Sequence, residues 1–315
     1  MTRSLRLIGG RLLGMLLTLV IASFVIFGAL YLAPGSPITF LTHGRSMSPE
    51  AIKQLENQYH LNDPFFVRYW DWLSSALQGD FGQSIIYRED ISSLLAPRAV
   101  NSIWLIAASA ILVVLIGLSL GVFAGLRRGR LSGALIGSAT VAMAIPSFVV
   151  AVVLTLIFAV DLRWFPAFSS GSGVTGRLYH LVLPATALAL ASVAFVARLT
   201  QTAVRHELGA DHVQTAISRG LPYSVIVRKH VLRNAGIPML TVSGLTVAGL
   251  IAGSVVVEQV FQLNGMGSYL VSAVQQKDFP VVQAICLIYV AAFIVLNTAI
   301  DFAYTLLDPR IGKEA

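Results

Sequence analysis

Six apolar runs dominate this chain, at 12–32, 99–126, 131–160, 181–197, 239–257 and 281–300, the last continuing in pattern towards Leu307. An α-helix rises about 1.5 Å per residue, so about 20 apolar residues cross a bilayer's hydrocarbon core. The first, second, third and fifth runs contain no Asp, Glu, Lys, Arg or His. No soluble fold needs so many such segments. The rest of the composition agrees: 56% of the 315 residues are hydrophobic and 12% charged, against about 45–50% and about 25% in soluble domains. The sequence therefore reads as an all-α integral membrane protein with six transmembrane helices. A soluble enzyme, a nucleic-acid binder and a disordered chain are excluded.

The first run follows Arg3, Arg6 and Arg11. Its apolar core exceeds the usual 7–15 residues of a cleaved signal, so it reads as an uncleaved signal anchor. With the N-terminus inside, segments 1–11, 127–130, 198–238 and 301–315 hold 14 Lys and Arg in 71 residues. The opposite segments, 33–98, 161–180 and 258–280, hold 8 in 109. Cytoplasmic loops carry the basic excess, so both termini are expected in the cytoplasm. The net charge of +7 marks that side and needs no nucleic acid. Cys286, the single cysteine, sits in an apolar run and allows no internal disulfide.

Several chemical signatures fail. Gly171, Gly173 and Gly176 fit G-x-G-x-x-G, but without the preceding strand a dinucleotide site needs. His206-Glu207 has Ala210 where a zinc-protease helix needs its second histidine. There is no G-x-x-x-x-G-K-[ST] and no G-x-S-x-G, so the chain has no recognisable means of hydrolysing ATP. Ion-coupled transporters place ionisable groups within the bilayer, and the apolar runs place none there. An intramembrane hydrolase and a self-contained channel are the rival classes. The first lacks paired aspartates, a zinc motif or a serine elbow. The second leaves the internal loop unexplained.

Two loops are too long to be simple connectors. Segment 33–98 carries helix-like pieces at 49–59 and 64–77, with Phe65, Phe66, Tyr69, Trp70 and Trp72; it reads as a small folded cap or an interfacial aromatic belt. Segment 198–238 is internal and basic. Val213, Ala216, Ile217 and Leu221 fall at i, i+3, i+4 and i+8, one face of a short helix. Gly220 suits a left-handed helix end, and Pro222 suits a new helix start, with the second piece at 223–234. The hairpin is either a lever joined to span five or an amphipathic element resting on headgroups. Glycines recur every fourth residue at Gly117, Gly121 and Gly125, at Gly133 and Gly137, and at Gly249 and Gly253. Such spacing lets helix backbones approach closely in lipid.

Segment 211–221, DHVQTAISRGL, followed by HVLRNA at 230–235 and by Pro238, resembles the "EAA" loop of binding-protein-dependent ABC importer permeases. The closest likeness is to the first-permease branch of the dipeptide/oligopeptide/nickel family. Further likenesses occur in order: Pro34-Gly35-Ser36-Pro37; Leu61-Asn62-Asp63-Pro64; Gly79-Asp80-Phe81-Gly82-Gln83-Ser84; Ile145-Pro146-Ser147-Phe148; Glu258-Gln259-Val260-Phe261 with Gly265-Met266-Gly267; Asp278-Phe279-Pro280; and Asp308-Pro309-Arg310. Ser36 stands where the family usually has Asp, and A-I-S-R-G where A-R-A-K-G is common.

The resemblance implies a type I ABC importer permease fold with a cytoplasmic coupling helix, in a bacterial inner membrane. It divides the chain into a signal-anchor helix at 1–32, an external region at 33–98, a core permease domain at 99–310 containing the coupling loop 198–238, and a tail at 311–315. The implied partners are a second permease, two ATPase subunits, an extracytoplasmic substrate-binding protein, membrane lipid and a short peptide as substrate. Nickel or a nickel chelate is the alternative substrate; no His/Met cluster marks the spans. ATP and Mg would bind the partners, leaving this chain with no cofactor and no metal. Thr215, Ala216, Arg219, Gly220 and Leu221 would sit in an ATPase groove. Pro146, Ser147, Glu258, Gly265 and Asp278 would belong to a translocation path or gate. The plainer readings are a kinked helix at Pro146, a turn at Gly265, a solvated rim at Glu258 and Asp278, and lipid phosphate bound by His230 and Arg233.

Overall fold

The computed structural model describes residues 2–31, 48–50, 53, 62–127 and 129–307. The Pro34–Pro37 likeness, most of the expected 49–59 helix, the Asp308–Arg310 likeness and the 311–315 tail lie outside them. Among the described residues the secondary structure is helical, apart from one isolated bridge between Gln83 and Asp90.

In chain order the helices are α1 (Thr2–Tyr31), α2 (Phe65–Leu77), α3 (Ile91–Leu126), α4 (Arg130–Ala144), α5 (Ser147–Asp161), α6 (Gly173–Leu208), α7 (Asp211–Ser218), α8 (Tyr223–Phe261), α9 (Met266–Gln276) and α10 (Phe279–Leu307). Five of them are long and apolar enough to cross a membrane, and α4 with α5 makes a sixth crossing if the bent pair counts as one. This matches the six runs in number, though not in their ends.

The third run is not one rod. α4 and α5 meet at an angle of 100°. Pro146 supplies no N–H, and its ring forces the preceding residue out of helical geometry; Ile145 accordingly has ψ 121.

Three spans reach beyond their apolar runs. α3 begins at Ile91, where the Asp90 carboxylate accepts the Ser92 amide at 3.1 Å. α6 runs for 36 residues, so 198–208 are helix and not loop. α8 takes in 223–238 at one end and Glu258 at the other. Charged residues end an apolar run without ending a helix. The expected 41-residue loop thus shrinks to α7 and two turns.

α6 is the central helix. In its most apolar window 61% of residues are buried, against 11% for α1. It packs against α3, α4, α5 and α8, whereas α1 lies against α10. The α3 contact depends on glycine. A Cβ at Gly117 would lie 3.0 Å from Val196 Cβ, one at Gly125 would lie 2.7 Å from Val204 Cβ, and one at Gly121 would collide with Thr200. Gly133, Gly137 and Gly249 meet nothing within 4 Å, so their spacing is not used for packing within this chain.

Candidate functional site

Two constructions stand at opposite ends of α8. The first is the hairpin. α7 ends in a Schellman turn: Gly220 donates to Ile217 O at 2.9 Å and Leu221 to Ala216 O at 3.3 Å. Gly220 has φ 72 with open space around it, so glycine is there for its backbone. Pro222 then caps α8, with Val225 and Ile226 donating to its carbonyl at 2.9 and 3.1 Å.

Val213 and Ala216 are buried and pack with Val204, Ile226, Val231 and Ala235. Ile217, Leu221 and Tyr223 are 52, 38 and 60% exposed. The expected four-residue apolar face therefore divides. α7 has only eight residues, and Gly220 turns Leu221 away from its inner side. Ala216 differs from the expectation that it sits in an ATPase groove: at 4% exposure it is spacer between α7 and the bundle. Thr215, Arg219, Gly220 and Leu221 remain on the outside. His212 ties α7 to α8, its Nε2 accepting from Asn234 Nδ2 at 3.1 Å, and the same nitrogen lies 3.6 Å from Glu207 Oε2 at the end of α6. His230 faces His212, at 6.4 Å between ring centroids.

The second construction is α9, held at each end by a buried carboxylate. At its start Glu258 Oε2 accepts the amides of Gly267 at 2.8 Å and Ser268 at 3.1 Å. These are free donors of the first helical turn, and the positive end of the helix dipole favours the charge. Ser102 of α3 accepts the Met266 amide at 2.8 Å. Asn101 donates to Leu263 O and Asn264 O at 3.1 and 3.2 Å. Gly265 is needed for close approach, since a Cβ there would collide with the Glu258 carboxylate and lie 2.7 Å from Ser102 Oγ. Glu258 Oε1 and the Tyr289 hydroxyl are buried with no hydrogen-bond partner.

At the other end Asp278 accepts Ser84 Oγ at 2.5 Å and the Ile85 amide at 3.1 Å. Ser84 Oγ in turn accepts the Tyr87 amide at 3.0 Å. The turn formed by 82–90 is thereby pinned to the α9–α10 junction. Arg98 lies over the Tyr269 ring, 4.1 Å from its centroid. Burial pushes the Tyr269 phenol above its ordinary value, the Asp278 charge adds to this, and the Arg98 charge opposes it.

The solvated-rim reading of Glu258 and Asp278 is corrected: they are 0 and 1% exposed. Glu258 Oε2 faces two backbone amides, and the two Asp278 oxygens face a serine and a backbone amide; a carboxylate buried there without any partner would cost several kcal/mol, by order-of-magnitude estimates. α8 carries Glu258 three residues before its end and just beyond the apolar run 239–257, which holds no ionisable residue. Gly265 caps α9 and joins this cluster. Pro146 and Ser147 lie at the α4–α5 bend, the first exposed and the second half-buried. Ser102, Arg98, Tyr269 and Tyr289 were not singled out from sequence. Ser102 looks there like any small residue in an apolar run; Ser84 lay in a quoted motif without an assigned role.

Comparison with known proteins shows the family and the fold. The family described as "Binding-protein-dependent transport system inner membrane component" matches residues 117–313, and its N-terminal companion matches residues 4–86. The glutathione transport system permease protein GsiC of Salmonella typhimurium is 35% identical over 302 residues, covering 96% of this chain and 97% of the relative. GsiC of Escherichia coli K12 is 34% identical over 304 residues, with the same coverage. In fold, the chain is similar to the MetNI methionine ABC transporter in inward-facing conformations (TM-score 0.54, 17% identity, 68% of this chain and 96% of that chain). It is also similar to an amino acid ABC transporter (TM-score 0.53, 16% identity, 68% and 94%). The chain belongs to the binding-protein-dependent transport system inner membrane component family and is a permease subunit of an ABC importer, not an enzyme.

Proposed function

We propose that this subunit passes short peptides of the glutathione class through an inner membrane. A substrate-binding protein delivers them, a second permease completes the path, and two ATPases power the cycle with ATP and Mg bound in those partners. Both termini face the cytoplasm. The observation that carries this reading is the outer surface of the hairpin. Thr215, Ile217, Arg219, Leu221 and Tyr223 are exposed there, while the inner face is packed solid. A surface of that kind suits a protein groove.

α8 joins this surface to the clamped helix as one continuous helical run, with a π-helical segment at Ile226–Val231 and Pro238 inside it. Its 39 residues span roughly 58 Å at about 1.5 Å per residue. ATPase closure displaces α7, α8 moves as a rod, and Glu258 carries α9 with it. α9 is then the moving element near the substrate path, and Glu258, Gly265 and Asp278 are positioning residues that do not touch substrate. Pro146 and Ser147 give the α4–α5 elbow its fixed angle. Rocking of one bundle against another is the general mode of alternating access. No group of three His, Cys, Asp or Glu side chains comes together among the described residues, so no observation favours the nickel alternative.

The test uses the complete complex in proteoliposomes. Gly220→Val forces a β-branched residue into left-handed geometry and is expected to abolish substrate-stimulated ATP hydrolysis while leaving membrane insertion intact. Full stimulation in that variant refutes the assignment. Glutathione and di- to tetrapeptides, presented with the cognate binding protein, should drive stimulation; stimulation by nickel alone would reverse the substrate reading.

A further inference from the structure

Helix α2 has three faces. With residues about 100° apart around a helix, Phe65, Tyr69, Trp72 and Ala76 share one side, which packs on α1. Phe27 meets Phe65 and Trp72 at centroid distances of 5.3 and 5.5 Å, and the Tyr69 hydroxyl shares a 2.8 Å hydrogen bond with Ser23. Arg68, Asp71 and Ser75 form a polar side. Phe66, Trp70 and Leu77 take the third side and are 71, 66 and 80% exposed.

The depth of the contact decides what this third side meets. α2 leans on Val20, Ser23, Phe24 and Phe27, all within the apolar window Leu12–Ala29. At about 1.5 Å per residue these positions lie roughly 3–14 Å inside the end of that window. Phe24 is 41% exposed and stacks on Phe66 at 6.3 Å with 24° between the rings. The open surfaces of α1 and α2 are therefore continuous and at one depth.

We propose that α2 is an in-plane interfacial helix. Phe66, Trp70 and Leu77 are buried among the acyl chains of the leaflet in which α1 ends, and Arg68 and Asp71 turn to headgroups and water. An apolar face with no charge, an adjoining polar face and an aromatic residue at the boundary are what such a helix needs. The occupant is lipid, because the surface extends that of a membrane-spanning helix. α2 then fixes the height of α1 and of the 82–90 turn that follows it.

The test is spin-label accessibility in nanodiscs. Trp70→Cys and Asp71→Cys are made in a Cys286→Ser chain, assembled with cysteine-free partner subunits. The expected ratio of oxygen to nickel-chelate collision is several-fold higher at Trp70→Cys than at Asp71→Cys. Leu77→Cys should behave like Trp70→Cys and serves if the tryptophan variant does not assemble. Equal, nickel-dominated accessibility at all sites would place α2 in water. Protection of Trp70→Cys and Leu77→Cys from both reagents would mean a protein covers the face. Either result overturns the proposal.

Discussion

Ser84 and Asp278 stand 194 residues apart in the chain and share a 2.5 Å hydrogen bond. The same carboxylate accepts the Ile85 amide, so one side chain fastens an early turn to the base of α10. Asp278→Ala leaves a buried hydroxyl and a backbone amide without their acceptor, at a cost of about 1–3 kcal/mol for each such group. Ser84→Ala leaves Asp278 Oδ2 without its donor and the Tyr87 amide without its acceptor, so it should cost a similar amount. Thermal unfolding of the purified complex should place both variants below wild type, and the double variant should lose less than the sum of the two. An unchanged melting temperature in either variant would mean that this pair does not fasten the turn.

Glu258 is expected to be partly replaceable by glutamine and not by alanine. A glutamine oxygen still accepts from Gly267 and Ser268, whereas alanine leaves the first turn of α9 uncapped, a loss of about 0.5–2 kcal/mol. Hydrogen exchange at those two amides should be slow in wild type, modestly faster in Glu258→Gln and fastest in Glu258→Ala. Unchanged protection in the alanine variant would contradict the clamp.

The Tyr289 hydroxyl is buried and unpartnered. Tyr289→Phe removes a polar group that gains nothing, and such a change is neutral or stabilising. The melting temperature should stay level or rise. A clear fall would show that the hydroxyl has a partner in the assembled transporter.

Gly121 and Gly137 look alike in sequence and differ in space. A methyl at Gly121 meets Thr200 and the Ala197 carbonyl, whereas one at Gly137 meets nothing. Gly121→Ala should destabilise the α3–α6 contact by about 1–3 kcal/mol, and Gly137→Ala should be silent in the same thermal assay. Equal effects would contradict the close contact.

The sequence made the membrane spans legible because apolar length alone decides them. It also made the Gly220 turn legible, since a glycine with a proline two residues on has few uses after a short helix. Helix ends were hidden because Arg198, Arg205 and Glu258 look like boundaries, while a helix passes through charge freely. The α4–α5 angle was hidden because proline announces a break and not its size. The clamp around α9 was hidden for another reason. Glu258, Ser102, Ser84 and Asp278 come from distant segments, and only packing brings them together. Two buried carboxylates beside loops read as exposed until their backbone amide partners are seen.

We propose that this subunit is moved through α7 by ATP hydrolysis in its partners. Uphill uptake of labelled peptide into proteoliposomes tests this. The complete complex with ATP and binding protein should accumulate peptide, the Gly220→Val complex should not, and the chain reconstituted alone should only equilibrate. Accumulation against the gradient by the chain alone would show that the ATPases and α7 do not drive transport.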